Sequence, residues 1–252
     1  RCHDASYGCL IAMPETSSSA KRFYDTVDVN AVDDGFGVTL DGRAVPTPLG
    51  QPLVLMSRKL ADAIADEWRA QGETVDPRSM PLSGLANTAC DRTNKRRTDV
   101  IKETLGYGAM DMVCYRVDAP EDLARRQHDC WQGLIDWAGD TIGVQMQTTT
   151  GLLPVTQPAE NAELFERRLQ EFDSFGLTGV SALTTVTGSL IIALAAADAH
   201  ITADAAFNAA ELDEIYQNER WGQDMEAAKR HQNLRADIAT AAKFMTLASS
   251  LV

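Results

Sequence analysis

The densest chemistry in the sequence lies between Leu212 and Glu226, where Asp213, Glu214, Glu219, Asp224 and Glu226 surround Tyr216 and Trp221. Paired carboxylates can share acid and base work, with Asp213, Glu214 and Asp224 as the candidate set, but only inside a cleft that raises the pKa of one of them. The same residues also suit a docking surface, on which a tryptophan anchors the contact and the acids select a basic partner. A third reading is a solvated helix face stopped at Gly222. An enzyme of unrecognised class and a partner-binding module are therefore both carried forward, and an enclosed pocket holding several of the acids separates them from an open surface.

Elsewhere the sites of ordinary catalysis are missing. The four histidines, His3, His128, His200 and His231, form no ligand pair at helical spacing, so metal binding has little support, and no cofactor motif is present. The five cysteines, Cys2, Cys9, Cys90, Cys114 and Cys130, are odd in number, lack a Cys-x-x-Cys pair and carry no nucleophile signature, which fits a reducing compartment. Gly106-Tyr107-Gly108 begins like a dinucleotide fingerprint but follows a helical pattern, the reverse of the context that aims a helix N-terminus at pyrophosphate. The basic run Arg92, Lys95, Arg96 and Arg97 suits phosphate contact or pairing with the chain's own acids. With 23 lysines and arginines against 36 aspartates and glutamates, the net charge of −13 argues against a nucleic-acid or anionic-membrane partner. Trp68 closes the stripe Leu60, Ile64, Trp68, which reads as core packing or as a partly exposed partner anchor.

The 252 residues suffice for one large domain or two modest ones. Residues 1–20 lack periodicity and read as an expression remnant or disordered arm. From Val27 to Met56 the apolar residues alternate, and Asp41-Gly42 is the dipeptide for a type I′ hairpin. Ser57 opens a helix, a second runs from about Leu85 to Leu105, Met110 to Val117 reads as a strand buried on both faces, and Val144 to Thr149 as another. Pro120 starts a helix carrying Leu123, Gln127, Cys130, Trp131, Leu134, Ile135 and Ala138 on one stripe. Beyond Pro158 the spacing predicts helices near 159–175, 178–198, 203–221 and 225–248, the second buried all round. The longest unbroken apolar run, Leu190 to Ala197, is too short to span a bilayer. The expected class is α+β, with a β-rich domain with helices over 21–157 and a helical domain over 158–252.

A collinear set of short segments adds a resemblance: Arg22-Phe23-Tyr24; Leu40-Asp41-Gly42-Arg43 with Val45-Pro46-Thr47-Pro48; Glu67-Trp68; Met80-Pro81-Leu82 with Leu85 to Ala89 and Asp91-Arg92; Asp111 with Cys114-Tyr115-Arg116; Arg126-Gln127 with Trp131; Leu183-Thr184 with Thr187 to Leu190; and Leu212-Asp213-Glu214, Gln217, Glu219 and Trp221-Gly222. Over residues 21 to 226 the chain resembles the assembly chaperones that handle the unassembled alpha subunit of F-type ATP synthase in mitochondria and alphaproteobacteria. The resemblance implies a β-rich domain followed by a helical one and a chaperone without catalysis. It also implies an essential acid at Glu214 or Glu219, and a location in the bacterial cytoplasm, or in the matrix if mitochondrial. Glu214, Glu219, Trp221, Asp224 and Trp68 are the expected partner-binding residues.

Overall fold

The computed structural model describes residues 20–151, 153–222 and 225–249. The chain is α+β, and its described residues divide into two compact units, one of residues 20–95 with 246–249 and one within residues 96–245.

In the first unit β2 (Val27–Val32), β3 (Gly35–Leu40) and β4 (Arg43–Ala44) form an antiparallel sheet in chain order, with Val27 opposite Leu40 and Val29 opposite Val38. Alternation buries Val27, Val38 and Leu40 on one face. Asp41 and Gly42 turn the chain into β4 with φ of 48° and 77°, the type I′ geometry that their pairing predicts. Helix α1 (Arg58–Arg69) is capped by the Ser57 hydroxyl, which accepts the Leu60 N–H, and it buries Leu60, Ala61, Ile64 and Ala65. Two-residue strands β1 (Ala20–Lys21) and β5 (Thr74–Val75) pair beside it.

Carboxylates tie this unit together. Helix α2 (Pro81–Thr88) has no side-chain cap of its own. Glu67, fourteen positions upstream, accepts the Leu82 and Ser83 N–H groups at 2.7 and 2.8 Å and the Ser83 hydroxyl at 2.7 Å. A negative charge is thereby set at the positive end of the helix. Asp41 Oδ1 accepts the Asp25 and Thr26 N–H groups, which holds its carboxyl below the usual range. Asp91 takes the Thr47 hydroxyl and the Leu49 N–H, fixing the proline-bearing turn at 46–50.

The second unit is helical: α3 (Arg97–Ala109), α4 (Glu121–Ile142), α5 (Ala159–Gln170), α6 (Ser174–Thr187), α7 (Leu190–Ala197), α8 (Ala203–Ala210), α9 (Leu212–Trp221) and, up to Met245, α10 (Met225–Ala248). Its core joins Val100, Trp131, Phe165, Leu169, Leu183, Phe207 and Ile238 around α7, whose residues Leu190 to Ala195 are all buried. Asp111, wholly buried, accepts the Val113 and Ile191 N–H groups and so caps α7 from a distant loop. Burial nevertheless pushes its carboxyl up to about 6.

Several expected elements differ. Met110 to Val117 is not a strand: Met112–Cys114 form a 3₁₀ turn capped by Asp111, and Tyr115 makes one parallel bridge to Thr149. The bridge is all that Val144 to Thr149 contributes to β structure. Pro52 to Met56 likewise makes only isolated bridges, Pro52 to Pro46 and Leu55 to Phe36. The helix expected over 85–105 is interrupted by a π-helical turn at Ala89–Thr93 and restarts at Arg97. The long helices also break: Gly188, at φ 70°, ends α6 before Ser189 caps α7, and Glu211 separates α8 from α9. Beyond Pro158 no strand occurs among the described residues. The compact units divide at Lys95, upstream of the composition shift near 150–158, because α3 and α4 bury Val100, Ile101, Leu134 and Ile135 in the same core as α5 to α7.

Candidate functional site

Helix α9 carries the acidic patch, and tertiary ties decide which of its carboxylates face solvent. Leu212 and Tyr216 are buried, and Ile215 is only partly covered. Asp213 accepts a hydrogen bond at 2.7 Å from the Gln127 amide of α4, whose carbonyl in turn receives the Val117 N–H. Tyr216 donates to Asp122 at 2.8 Å, and Arg220 pairs with the same carboxylate, holding Asp122 below its ordinary value. Arg126 and Arg220 both lie over the Tyr216 ring.

Glu214 and Glu219 are five positions apart, about 140° around a helix at 3.6 residues per turn, and they point to different neighbours. Glu219, 50% exposed, pairs with Arg126 of α4 at 2.7 Å. Glu214, 40% exposed, pairs with Arg230 of α10. Arg230 also reaches Glu211 at 3.0 Å, and His231 Nε2 lies 2.8 Å from the same Glu211 oxygen. Burial raises the Glu211 carboxyl, against the pull of Arg230 and His231. Glu211, Glu214 and His231 can bring ligand atoms within 4.8 Å of one another. The guanidinium of Arg230 already supplies the positive charge there. Trp221 is 75% exposed at the end of α9. Asp224 lies outside the described residues.

The surface beside Ile215, Asn218, Glu219 and His231 is an open depression of about 300 Å³, and Glu219 is the one acid of the patch that lines it. Asp213, Glu214 and Glu219 are thus not gathered in one cleft. Among the described residues burial pushes the Cys114 thiol up to about 12 and raises Cys90 and Cys130 as well, which disfavours their thiolates; Cys2 and Cys9 lie outside the described residues. The basic run is partly spent, since Arg96 pairs with Asp99 and Arg97 donates to the carbonyls of Gln170 and Phe172.

Trp68, in the first unit, is half-buried. Its ring meets Tyr24 edge-on, 5.7 Å between centroids, and its carbonyl accepts the Tyr24 hydroxyl at 2.7 Å. The indole N–H is covered and has no acceptor among the described residues. Trp68 forms part of the wall of a groove of about 680 Å³ that no local pattern of residues marks. Arg126 and Arg230, the partners of Glu219 and Glu214, were likewise missed. Arg126 lay within a resembling segment, whereas Arg230 had no signal.

A profile of the ATP12 chaperone protein family matches residues 21–139. Among solved structures, Atp12 from Paracoccus denitrificans is 37% identical, with a TM-score of 0.87 over 91% of this chain and 99% of that one. A P. denitrificans Atp12p mutant with one aspartate replaced by lysine matches at 36% identity and TM-score 0.87, over 92% of this chain and all of that one. The Atu1473 protein of Agrobacterium tumefaciens, described as a chaperone candidate, matches at 37% and 0.86, over 91% of this chain and 86% of that one. Identity at this level across nearly the whole chain, joined to the ordered segments that the fold uses as ties, makes this chain a member of the ATP12 chaperone family, an ATP synthase assembly chaperone.

Proposed function

We propose that the chain binds the unassembled alpha subunit of F-type ATP synthase and covers its apolar assembly interface until the beta subunit arrives, without catalysing a reaction. The observation that carries this reading is the α9 surface: half-exposed carboxylates at Glu214 and Glu219 and a 75%-exposed Trp221, with no cleft enclosing them. An aromatic anchor beside acids is the composition of a protein-recognition patch rather than of a reaction centre. A released subunit exposes apolar surface that aggregates unless it is covered. No helix among the described residues is long and apolar enough to cross a membrane. We place the working compartment in the bacterial cytoplasm, and propose a β-rich domain with helices over 21–157 and a helical domain over 158–252 as the division of the chain by secondary structure. Trp68 and Asp224 complete the proposed partner-binding set.

The test is copurification of the full chain with the alpha subunit, alongside light scattering of alpha alone, with the chaperone, and with chaperone then beta. A stoichiometric complex that suppresses scattering and dissolves when beta is added is the expected result. Scattering unaffected by the chaperone at equimolar concentration would sink the reading.

A further inference from the structure

Glu214 and Glu219, the two half-exposed carboxylates of α9, are both occupied, and in each case by an arginine of the same unit. Arg126 of α4 places Nη1 2.7 Å from Glu219 Oε2, and Arg230 of α10 places Nη2 on Glu214 Oε2. A basic group of a partner that reaches either of these oxygens must displace the guanidinium already there. Each internal contact is weak, because it joins two side chains that water still reaches.

Both arginines keep a second anchor. Arg126 lies over the Tyr216 ring, 5.3 Å from its centroid, a contact that does not involve Glu219. Arg230 also reaches Glu211 at 3.0 Å, and Glu211 is 13% exposed against 40% for Glu214, so the better shielded of its two partners is the one away from the surface. Loss of the Glu219 or the Glu214 contact therefore leaves neither guanidinium without a place. The ties that seat α9 are different ones. Tyr216 donates to Asp122 at 2.8 Å, Arg220 pairs with the same carboxylate, and the Gln127 amide donates to Asp213 at 2.7 Å. None of these three uses Glu214 or Glu219, so both acids can change partner while the helix keeps its position.

We propose that Arg126 and Arg230 are internal stand-ins for basic groups of the client: in the free chain they occupy Glu219 and Glu214, and capture of the alpha subunit exchanges each internal pair for one across the interface. The inference rests on the client-binding reading and adds the regulation of that same surface. A pair covered by the interface is less screened than the exposed one it replaces, which drives the exchange toward the client. Self-pairing also makes capture selective. A partner that brings apolar surface but no cation meets two acids that are already neutralised, and gains nothing from them.

The experiment measures dissociation constants for intact alpha subunit with the full chain, Arg126→Gln, Arg230→Gln and Arg125→Gln, at several salt concentrations. Arg125, the exposed neighbour of Arg126 on α4, is paired with neither acid, so its variant changes the net charge equally without freeing a carboxylate. Arg126→Gln and Arg230→Gln should each bind about threefold or more tightly than the wild type, the scale of one exposed ion pair, and Arg125→Gln within about twofold of it. Salt should weaken capture more steeply in the two stand-in variants, because they form a pair on binding without breaking one. Capture that is unchanged or weaker in a folded variant overturns the exchange at that acid and makes its arginine a brace. Equal tightening in Arg125→Gln overturns it too, reducing the effect to net charge. Arg230→Gln leaves Glu211 with His231 beside it at 2.8 Å, so circular dichroism melts accompany every variant, and if this one does not fold, Arg126→Gln decides alone. If the wild type captures the alpha subunit and the stand-in variants do so no more tightly, the exchange fails while the client reading stands; if the wild type captures none, the client reading has failed and the exchange with it.

Discussion

Single carboxylates set much of this fold, and two of them give sharp tests. Asp111 is 3.8 in its ordinary state and about 6 in the folded chain, because burial outweighs the hydrogen bonds from Ser189, Ile191 and Val113. A folded pKa above the unfolded one means that the native state binds the proton more tightly. The resulting stability is complete below pH 3.8 and is lost as pH rises through 6, by about 3 kcal/mol in all. Urea unfolding of the wild type and Asp111→Asn from pH 4 to 7.5 should show the wild type losing ground relative to the variant over that window. A difference that is flat with pH, or that grows in the opposite sense, contradicts the assignment. Glu67 gives the second test. Glu67→Gln keeps an amide oxygen for one of the Leu82 and Ser83 N–H donors but turns its N–H₂ toward the other, and should cost about 1–2 kcal/mol. A midpoint shift in denaturant with unchanged slope is the expected signature.

At the scale of elements, what was legible depended on whether the signal was local. The Asp41-Gly42 turn, the Ser57 cap and the stripe of α4 were all readable, because each rests on residues a few positions apart. Period-two spacing at Met110 to Val117 misled: Met110 is exposed, and Val113 and Cys114 are buried in the helical core rather than against strand partners. Gly188 and Ser189 sit between two apolar stretches that read together as one helix, and the left-handed φ of Gly188 and the cap from Ser189 reveal two. The ties from Glu67 to α2 and Asp111 to α7 join elements far apart in sequence, which no local pattern reports. They do lie in segments that carry the family resemblance, so resemblance located them without explaining them. Close helix packing was equally hidden. A Cβ on Gly179 would fall 2.3 Å from Met245 Cγ and 3.2 Å from its sulfur, so α6 and α10 approach as only glycine permits. Gly179→Ala should destabilise by about 1–3 kcal/mol despite the better helix propensity of alanine. A rise in melting temperature would show that Met245 moves aside at no cost.

For the whole molecule the question is whether the α9 acids hold the chain together or hold its client. Each is already paired, Glu219 with Arg126 and Glu214 with Arg230, so loss of function on reversal would not by itself distinguish the two roles. The Arg126–Glu219 pair is the cleaner case, since Arg230 serves Glu211 as well. Both of its side chains are about half exposed, so the pair contributes no more than about 1 kcal/mol after solvent screening. Glu219→Arg should therefore leave the melting curve nearly unchanged and abolish capture of the alpha subunit, because a like charge set against a basic client group costs several kcal/mol. Adding Arg126→Glu rebuilds the ion pair with its charges exchanged. The double variant should melt like the wild type and still fail in capture, since the client meets the exchanged charges in the wrong places. If exchange restores capture, Glu219 acts by fixing α9 against α4, and recognition passes to Glu214. Glu214→Lys is then the deciding measurement: loss of capture in a protein that still melts like the wild type would assign the client contact to that carboxylate, while capture retained there too would remove α9 from the working surface.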